Sequence, residues 1–500
     1  MIAIEDKIKI HDQFQFELKF TYPFDRDAPI SEYTVDTYLF IPYNLGINKM
    51  TYGKREFYAD MQKYIRLKTP VFRLHTITSG ENSPIEKLRI AMKALAEEPV
   101  SLTRNHNFKY NLKMFCAIFK SALRDEIIFI RGWNEEKKRK KAADSLVNDI
   151  KAITSEFRKL GKIINVAHVS HKQKALYKFA DEYVSLLIEQ RIYKLLAYIK
   201  EFSDGKTCDR LVKLTSYELT HRRQCMYSSV QEENSSNESV IYRSRILKKI
   251  MGNILFLHTR FKKEGKILEQ MSMGFAAGMA MAMATGFIFL SRTTFEEFSL
   301  SLFLVLVTIY IFKDRLKEIS KSVFCKMLRK YLYDYKTFLQ TSFGSKVGFC
   351  RESFEFVKEE DLPDLITKIR NKDYIDELDN GYTPENIIFF KKYLKISSEK
   401  CKQLISDFRV DGVNDIIRFN VRHMLNKMDN PYKTICMPDE KDGFKVINAE
   451  VSYHLNLILK YGLNGDANYH KFRIILNREG IKRIEEVPFD LTRTGNFSQV

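Results

Sequence analysis

The sequence predicts an α+β membrane protein with a two-helix transmembrane hairpin, a mainly helical central region, and antiparallel β-containing amino- and carboxy-terminal cytoplasmic regions. Three observations predict this fold class. Two uncharged runs follow each other within residues 271–312. Apolar and polar residues alternate near both ends of the chain, as in strands, and helical spacing dominates between them.

Length and composition indicate a globular protein of more than one unit. A chain of 500 residues exceeds the usual size of one domain. The seven cysteines are scattered without a Cys-x-x-Cys pair, so we expect reduced thiols rather than a disulfide framework. The amino terminus carries Glu5, Asp6 and Lys7 and does not resemble a secretory signal peptide.

Residues 1–82 are predicted to form a β-rich cytoplasmic region. Phe14–Tyr22 alternates apolar with polar side chains, the period of a strand with one wet face. Tyr33–Ile41 is a second, more buried strand, which ends at Pro42.

Residues 83–227 are predicted to be helical. Ser83 is a good N-cap, Pro84 suits the first helical position, and Glu86 completes a capping box. Apolar residues then follow a coiled-coil spacing at Leu146, Ile150, Ile153, Phe157, Leu160 and Ile164. With Gln173–Phe202 they predict an antiparallel helical hairpin, followed by a polar linker at residues 228–239.

Residues 271–312 are predicted to be the transmembrane hairpin. Met271–Ser291 contains no charge and is long enough for a span, since about 20 apolar residues cross a bilayer core. Phe298–Phe312 is uncharged but short, so the second span is expected to begin near Thr294. The alternative is a helical hairpin buried within a soluble protein.

Basic segments flank this hairpin and predict its orientation. The juxtamembrane helix at residues 240–270 and the stalk helix at residues 313–344 are rich in Lys and Arg, and the turn between the spans is not. By the positive-inside rule we expect a bacterial-type, multi-pass inner-membrane protein with both termini cytoplasmic. The predicted contacts with anionic lipid head groups are Arg243, Arg245, Lys248, Lys249, Lys262, Lys263, Lys313 and Arg315.

Small residues recur at every fourth position of the first run, at Gly274, Gly278, Ala282 and Gly286. They predict a helix face that another helix can approach closely. Either Phe298–Phe312 of the same chain or a second copy of the protein would occupy this face.

Residues 345–500 are predicted to form a mixed α+β cytoplasmic domain. Phe349–Val357 and Ile387–Ile396 have the composition of strands, and Val451–Tyr461 begins a closing hairpin. Whether this region and residues 1–82 form one domain is left open by the sequence.

The sequence contains several weak candidates for chemistry. His168 and His171 are spaced for one helix face, but a polar bend between two helices explains them much better than a metal site does. His221 and Cys225 are four residues apart, with Cys208 upstream, and are a similarly weak metal candidate. Lys137–Lys141 is most typical of a solvated helix face, and it lacks the interleaved aromatic residues of a nucleic-acid surface. We therefore predict no catalytic residue, metal or cofactor.

The predicted function is a membrane-anchored cytoplasmic scaffold or sensor that binds lipid and protein partners, with possible self-association. Nucleic acid is not an expected partner, because lipid contact accounts for the basic segments. The alternatives are a membrane-anchored enzyme with a non-local active site, or a subunit of an oligomeric channel or transporter.

Overall fold

The computed structural model describes residues 8–24, 29–200, 205–230, 236–264, 266–294, 300–329, 333–341, 344–371, 384–404, 408, 410–439, 443–463 and 466–489. The chain divides into two compact units. The sheet unit comprises Met1–Ile65, His258–Lys400 and Asn414–Val500, and the helical unit comprises Arg66–Leu257 and Cys401–Val413.

The strands are β1 Lys9–Asp12, β2 Gln15–Pro23, β3 Ile30–Pro42, β4 Met61–Leu67, β5 His258–Lys263, β6 Tyr335–Gln340, β7 Lys346–Val357, β8 Glu385–Ser397, β9 Gly412–Asn420, β10 Tyr432–Asp439, β11 Gly443–Glu450, β12 Tyr453–Leu463, β13 Asp466–Asn477 and β14 Gly480–Val487. They form an eight-stranded sheet of order β14-β13-β12-β3-β8-β7-β6-β5, a four-stranded sheet of order β1-β2-β9-β4, and the separate ribbon β10-β11. Strand β3 lies between β8 and β12, so the amino- and carboxy-terminal β regions share one sheet.

The helices are α1 Lys54–Asp60, α2 Pro84–Glu97, α3 Leu102–Gly132, α4 Glu136–Lys159, α5 Gly161–Ile164, α6 His171–Ile199, α7 Gly205–Gln224, α8 Glu238–Gly252, α9 Lys266–Thr294, α10 Leu300–Arg329, α11 Asp364–Arg370, α12 Ser398–Leu404 and α13 Arg422–Leu425. Helix α2 begins at Pro84 as predicted, with the Ser83 hydroxyl accepting from the Glu86 amide. The predicted capping box is incomplete, because the Ser83 amide donates to the Gly80 carbonyl and the Glu86 carboxylate binds Arg89. The predicted antiparallel helical hairpin paired the segment of α6 with that of α4, but α6 packs mainly along α3 and α7.

The core of the sheet unit is aromatic, with a small buried charge network. The Phe57 ring stacks on Phe354 at 4.3 Å and contacts Phe419 at 5.6 Å. Side chains of the four-stranded sheet thus meet one face of the eight-stranded sheet. On the same face, Lys392 is paired with Asp415 at 2.6 Å.

The predicted transmembrane hairpin is wrong, and the predicted multi-pass inner-membrane location with cytoplasmic termini fails with it. Among the described residues, one helical window, Met273–Leu290 in α9, is long and apolar enough to cross a membrane. In α10 the apolar part ends at Phe312, and charged residues follow from Lys313 onward. Fifteen uncharged residues span about 22 Å as a helix, which is shorter than a bilayer core of roughly 30 Å.

Both basic segments next to this hairpin also differ from their predicted structure. In the segment predicted as one juxtamembrane helix, helix α8 ends at Gly252 and the chain continues to strand β5. In the segment predicted as the stalk helix, helix α10 ends at Arg329 and strand β6 follows. Arg260, Lys262, Lys263 and Lys336 are therefore built into a sheet, whereas cations such as Lys248 and Lys317 lie on α8 and α10.

Helices α9 and α10 pack side by side through a different face from the one predicted. Phe275 contacts Phe324 edge-on at 5.2 Å, and the alanine stripe Ala276, Ala280 and Ala284 is buried. At Gly274, Gly278 and Gly286 an added Cβ would meet no described atom within 4 Å, and Ala282 is exposed. Helix α10 does not fill the predicted glycine face. Contact of that face with a second copy of the protein stays a prediction.

Candidate functional site

One face of the eight-stranded sheet carries a mixture of cations and aromatic rings at its β5–β8 end. Alternate residues of a strand point to the same face, and paired strands align these residues in rows. We define the basic–aromatic face by these side chains and by Tyr333, which precedes β6. Its strand residues are Arg260, Lys262, Lys336, Phe338, Lys346, Phe349, Arg351, Lys391, Tyr393 and Lys395.

Two rows run across the strands of this face. In the first row, Phe338 lies between Arg260 of β5 and Phe349 of β7. In the second row, Lys336 lies between Lys262 and Arg351, and Arg351 is opposite Tyr393. Each aromatic residue is therefore next to cations in two directions.

The cations of the face approach the aromatic rings closely. The Lys336 Nζ atom is 4.3 Å from the ring centre of Phe349 and 5.4 Å from that of Phe338. The Arg351 guanidinium is 5.3 Å from the Phe349 ring and 5.9 Å from the Tyr333 ring. Such contacts stabilise by about 0.5–1 kcal/mol at exposed sites, so a ligand that stacks on the rings can displace the flexible Lys336 side chain.

The four rings form one patch. The Phe349 and Tyr393 ring centres are 6.2 Å apart, and those of Tyr393 and Tyr333 are 6.5 Å apart. All of these rings are half-buried, so each one keeps part of its surface toward solvent. Burial and the nearby Glu32 carboxylate raise the pKa of Tyr393 to about 12, which keeps its phenol neutral at physiological pH.

The face retains positive charge after its internal ion pairs are counted. Glu32 binds Lys395 at 2.6 Å, and Glu264 binds Arg351 at 2.8 Å. Other cations of the face form no ion pair with any residue that the structure describes. These are Arg260, Lys262, Lys336 and Lys346.

The other end of the same sheet face is covered. Ile366 and Ile369 of α11 pack against Tyr38 and Phe40 of β3, in a cluster that includes Ile387 and Ile458. The strand order thus places an apolar core at one end and the basic–aromatic face at the other. The buried side of β7 and β8, with Glu352 and Lys392, supports the face from below.

The structure disperses the residues predicted to contact lipid head groups. Arg243 is bound to Glu182 in the helical unit, while Arg245, Lys248 and Lys249 are on α8. Lys262 lies on the basic–aromatic face, and its neighbour Lys263 points to the opposite side of β5. Lys313 lies over the Tyr310 ring on α10, and Arg315 is near Glu318. Their contact with lipid stays a prediction.

The other candidates have mostly structural contacts. His168 Nε2 is 2.6 Å from the carbonyl oxygen of Ala96. Within Lys137–Lys141, Lys138 and Lys140 pair with Glu135 and Glu136 at about one helical turn. His221 and Cys225 differ from these, because Asp181 joins them from another helix, whereas Cys208 does not belong to this group.

No family model, curated protein or solved structure matches the chain. Sequence reasoning missed the basic–aromatic face because its residues come from four strands spread over residues 258–397. The available signal was the short alternation of cations and rings, as in Lys336-Thr337-Phe338 and Phe349-Cys350-Arg351.

Proposed function

We propose that the protein binds single-stranded nucleic acid on the basic–aromatic face. The observation that carries this proposal is the interleaving of Tyr333, Phe338, Phe349 and Tyr393 with cations on one side of a sheet. Bases stack on aromatic rings and phosphates are attracted to neighbouring Lys and Arg side chains. Sheet-based proteins that bind single strands use the same combination.

A single strand fits this face better than a duplex does. The bases of a duplex are stacked on one another and present only their edges, whereas unpaired bases offer their ring faces. Half-buried rings on one face of a sheet are suited to stacking, and cations at their sides are suited to a backbone that runs across the strands. The polar contacts seen here do not select one base over another.

The charge of the whole chain supports an anionic partner. The formal net charge is +19 and the sequence pI is about 9.3. The basic segments were assigned to lipid head groups while a membrane hairpin was expected. With that hairpin contradicted, strands β5 and β6 direct part of this charge onto the same face as the rings.

This proposal keeps the predicted binding role and replaces its partner. The prediction against nucleic acid rested on lipid contact as the explanation of the basic segments, and on Lys137–Lys141, which has no aromatic residues among its cations. On the sheet, rings and cations from distant segments meet instead. A role as a scaffold or sensor stays a prediction, now with a nucleic-acid strand as the partner.

Fluorescence anisotropy with a labelled oligouridine tests the proposal on the full-length protein. We expect Phe338→Ala and Phe349→Ala each to weaken binding by about 1–3 kcal/mol, because each removes a stacking surface. Phe444→Ala is the matched control, since Phe444 is an exposed ring on the separate ribbon β10-β11. Thermal melting of each variant checks that the fold is retained.

Three results would overturn the proposal. The first is equal affinity of the wild type and the two face variants for the oligouridine. The second is tighter binding of a duplex of matched length. The third is binding of the face to vesicles of anionic lipid with no binding of the oligonucleotide.

A further inference from the structure

Three potential metal ligands meet in the helical unit. Asp181 is buried in α6, His221 lies in the last turn of α7, and Cys225 directly follows that helix. The His221 and Cys225 side chains are one turn apart, so they lie on the same side of the helix end. Asp181 reaches them from the neighbouring helix.

The end of α7 fixes the position of Cys225. Tyr227 N–H donates to the Arg222 carbonyl at 2.8 Å, and Met226 N–H donates to the Arg223 carbonyl at 3.1 Å. With Met226 at a φ of 56°, these bonds form a Schellman motif that ends the helix. The chain then turns so that the Tyr227 hydroxyl lies 3.2 Å from Asp181 Oδ2.

We propose that Asp181, His221 and Cys225 bind a divalent transition metal, with zinc as the best match. His221 Nε2 is 2.8 Å from Asp181 Oδ2, and Cys225 Sγ is 3.7 Å from the same nitrogen. All three potential ligand atoms lie within 4.8 Å of one another. Zinc bonds of about 2.0–2.3 Å in tetrahedral geometry place ligand atoms roughly 3.3–3.7 Å apart. The Sγ–Nε2 distance fits this range, whereas the hydrogen-bonded Nε2 and Oδ2 atoms must separate by about 0.5 Å to admit the ion.

The ligand types select the metal class. A thiolate with an imidazole favours zinc and similar borderline-soft ions, whereas magnesium and calcium prefer oxygen ligands alone. Binding requires that the Cys225 thiol release its proton to solvent and that His221 offer the lone pair of Nε2. Three protein ligands leave one tetrahedral position for water.

The charges around the site also favour a divalent cation. Within this group of described residues, Asp181, Glu189 and Glu218 carry three negative charges against Arg158 and Arg222. Counted without His221 and Cys225, these five side chains carry a net charge of −1. A divalent ion together with a thiolate adds one positive charge, which brings the total of this group to zero.

Neighbouring side chains hold the carboxylate in place. Arg158 Nε donates to Asp181 Oδ1 at 3.1 Å, and Arg158 Nη2 donates to Glu218 at 2.7 Å. Oδ1 is therefore occupied by the guanidinium, and Oδ2 faces His221. Such outer contacts orient metal-binding carboxylates in known sites.

The rival interpretation is a Cys225–His221–Asp181 catalytic triad. Reactive thiolates are typically found at helix N-termini or beside cations, but Cys225 follows a helix C-terminus and lies near Asp181. Burial and Asp181 raise the pKa of the Cys225 thiol. Without a metal this cysteine is a poor nucleophile, and with one it is a good ligand.

Cobalt(II) titration of the full-length protein, after chelator treatment, tests the metal site. We expect one equivalent of Co²⁺ to produce a thiolate-to-cobalt charge-transfer band, and zinc to abolish it. Cys225→Ser should lose the band and weaken zinc binding by more than about 100-fold, since even outer-shell changes cost 10–100-fold. Cys208→Ser, a cysteine on the same helix, is the matched control and should retain both.

The absence of a cobalt band in the wild type, or its persistence in Cys225→Ser, would overturn the metal site. His221→Gln gives a second and independent check, because it should weaken zinc binding and leave the thiol in place. Rapid alkylation of Cys225 by iodoacetamide at neutral pH in the metal-free protein would instead support the triad and contradict the proposal.

Discussion

Lys392 shows how one buried residue stabilises the sheet beneath the basic–aromatic face. Its side chain is 1% exposed and lies 2.6 Å from Asp415 and 3.6 Å from Glu352, which also binds Lys63. Burial alone would lower the pKa of Lys392, but Asp415 and Glu352 outweigh burial and raise it. The lysine therefore stays charged and ties β8 to β7 and β9.

Glu352 carries the pH dependence of this network. Burial would raise its pKa, but Lys63 and Lys392 outweigh burial and lower it. A carboxylate whose pKa is lower in the folded state contributes stability that is complete above its unfolded pKa of about 4.3. That contribution is lost as the pH falls through the folded value. We expect the urea midpoint of unfolding to decrease below about pH 4.

Glu352→Gln isolates this contribution. The variant should lose roughly 3–5 kcal/mol at pH 7, because it leaves Lys63 without its buried partner. Below pH 4 its urea midpoint should fall less steeply than that of the wild type. Glu355→Gln, an exposed change on the same strand, should leave the pH dependence unchanged. If the urea midpoints of the wild type and of Glu352→Gln fall equally steeply below pH 4, Glu352 does not carry the pH dependence.

Single elements differ in how far local chemistry determines them. The Ser83 cap of α2, the alternation of β2 and the apolar run of β3 were sufficient to predict these elements, because such signals lie within a few residues. Strands β5 and β6 were predicted as helices. Apolar positions four apart, such as Leu257 and Phe261, fit both a helix and a strand. Pairing of β6 with β7 decides between the two structures, and that pairing is non-local.

Strands β5 and β6 predict a measurable salt dependence of binding. Each phosphate contact with a single strand contributes about 0.7 to the slope of log affinity against log salt concentration. Lys262→Gln and Lys336→Gln should each reduce the magnitude of that slope by about this amount. Lys433→Gln, on the separate strand β10, should leave the slope unchanged. Anisotropy titrations over a series of salt concentrations measure all three, and equal slopes would contradict phosphate contact at β5 and β6.

For the whole molecule, composition was enough to predict the fold content, whereas the candidate sites depend on long-range pairing. The sequence indicated more than one folding unit and an α+β content, and the structure has both. Hydropathy predicted a membrane hairpin. It measures only how apolar a segment is, and it contains no information about which residues pack around that segment. The candidate sites depend on residues far apart in the chain. Asp181 is 40 residues from His221, and Lys262 is 74 residues from Lys336, so neither neighbourhood leaves a local motif.

The most direct test of the central claim is to map where a nucleic-acid strand contacts the protein. A photoreactive oligouridine would be cross-linked to the full-length protein by ultraviolet light, and the modified peptides would be identified by mass spectrometry. We predict modification of the β6 and β7 peptides that contain Phe338 and Phe349. Cross-links confined to other surfaces, such as Lys137–Lys141 on α4, or no cross-links at all, would contradict it.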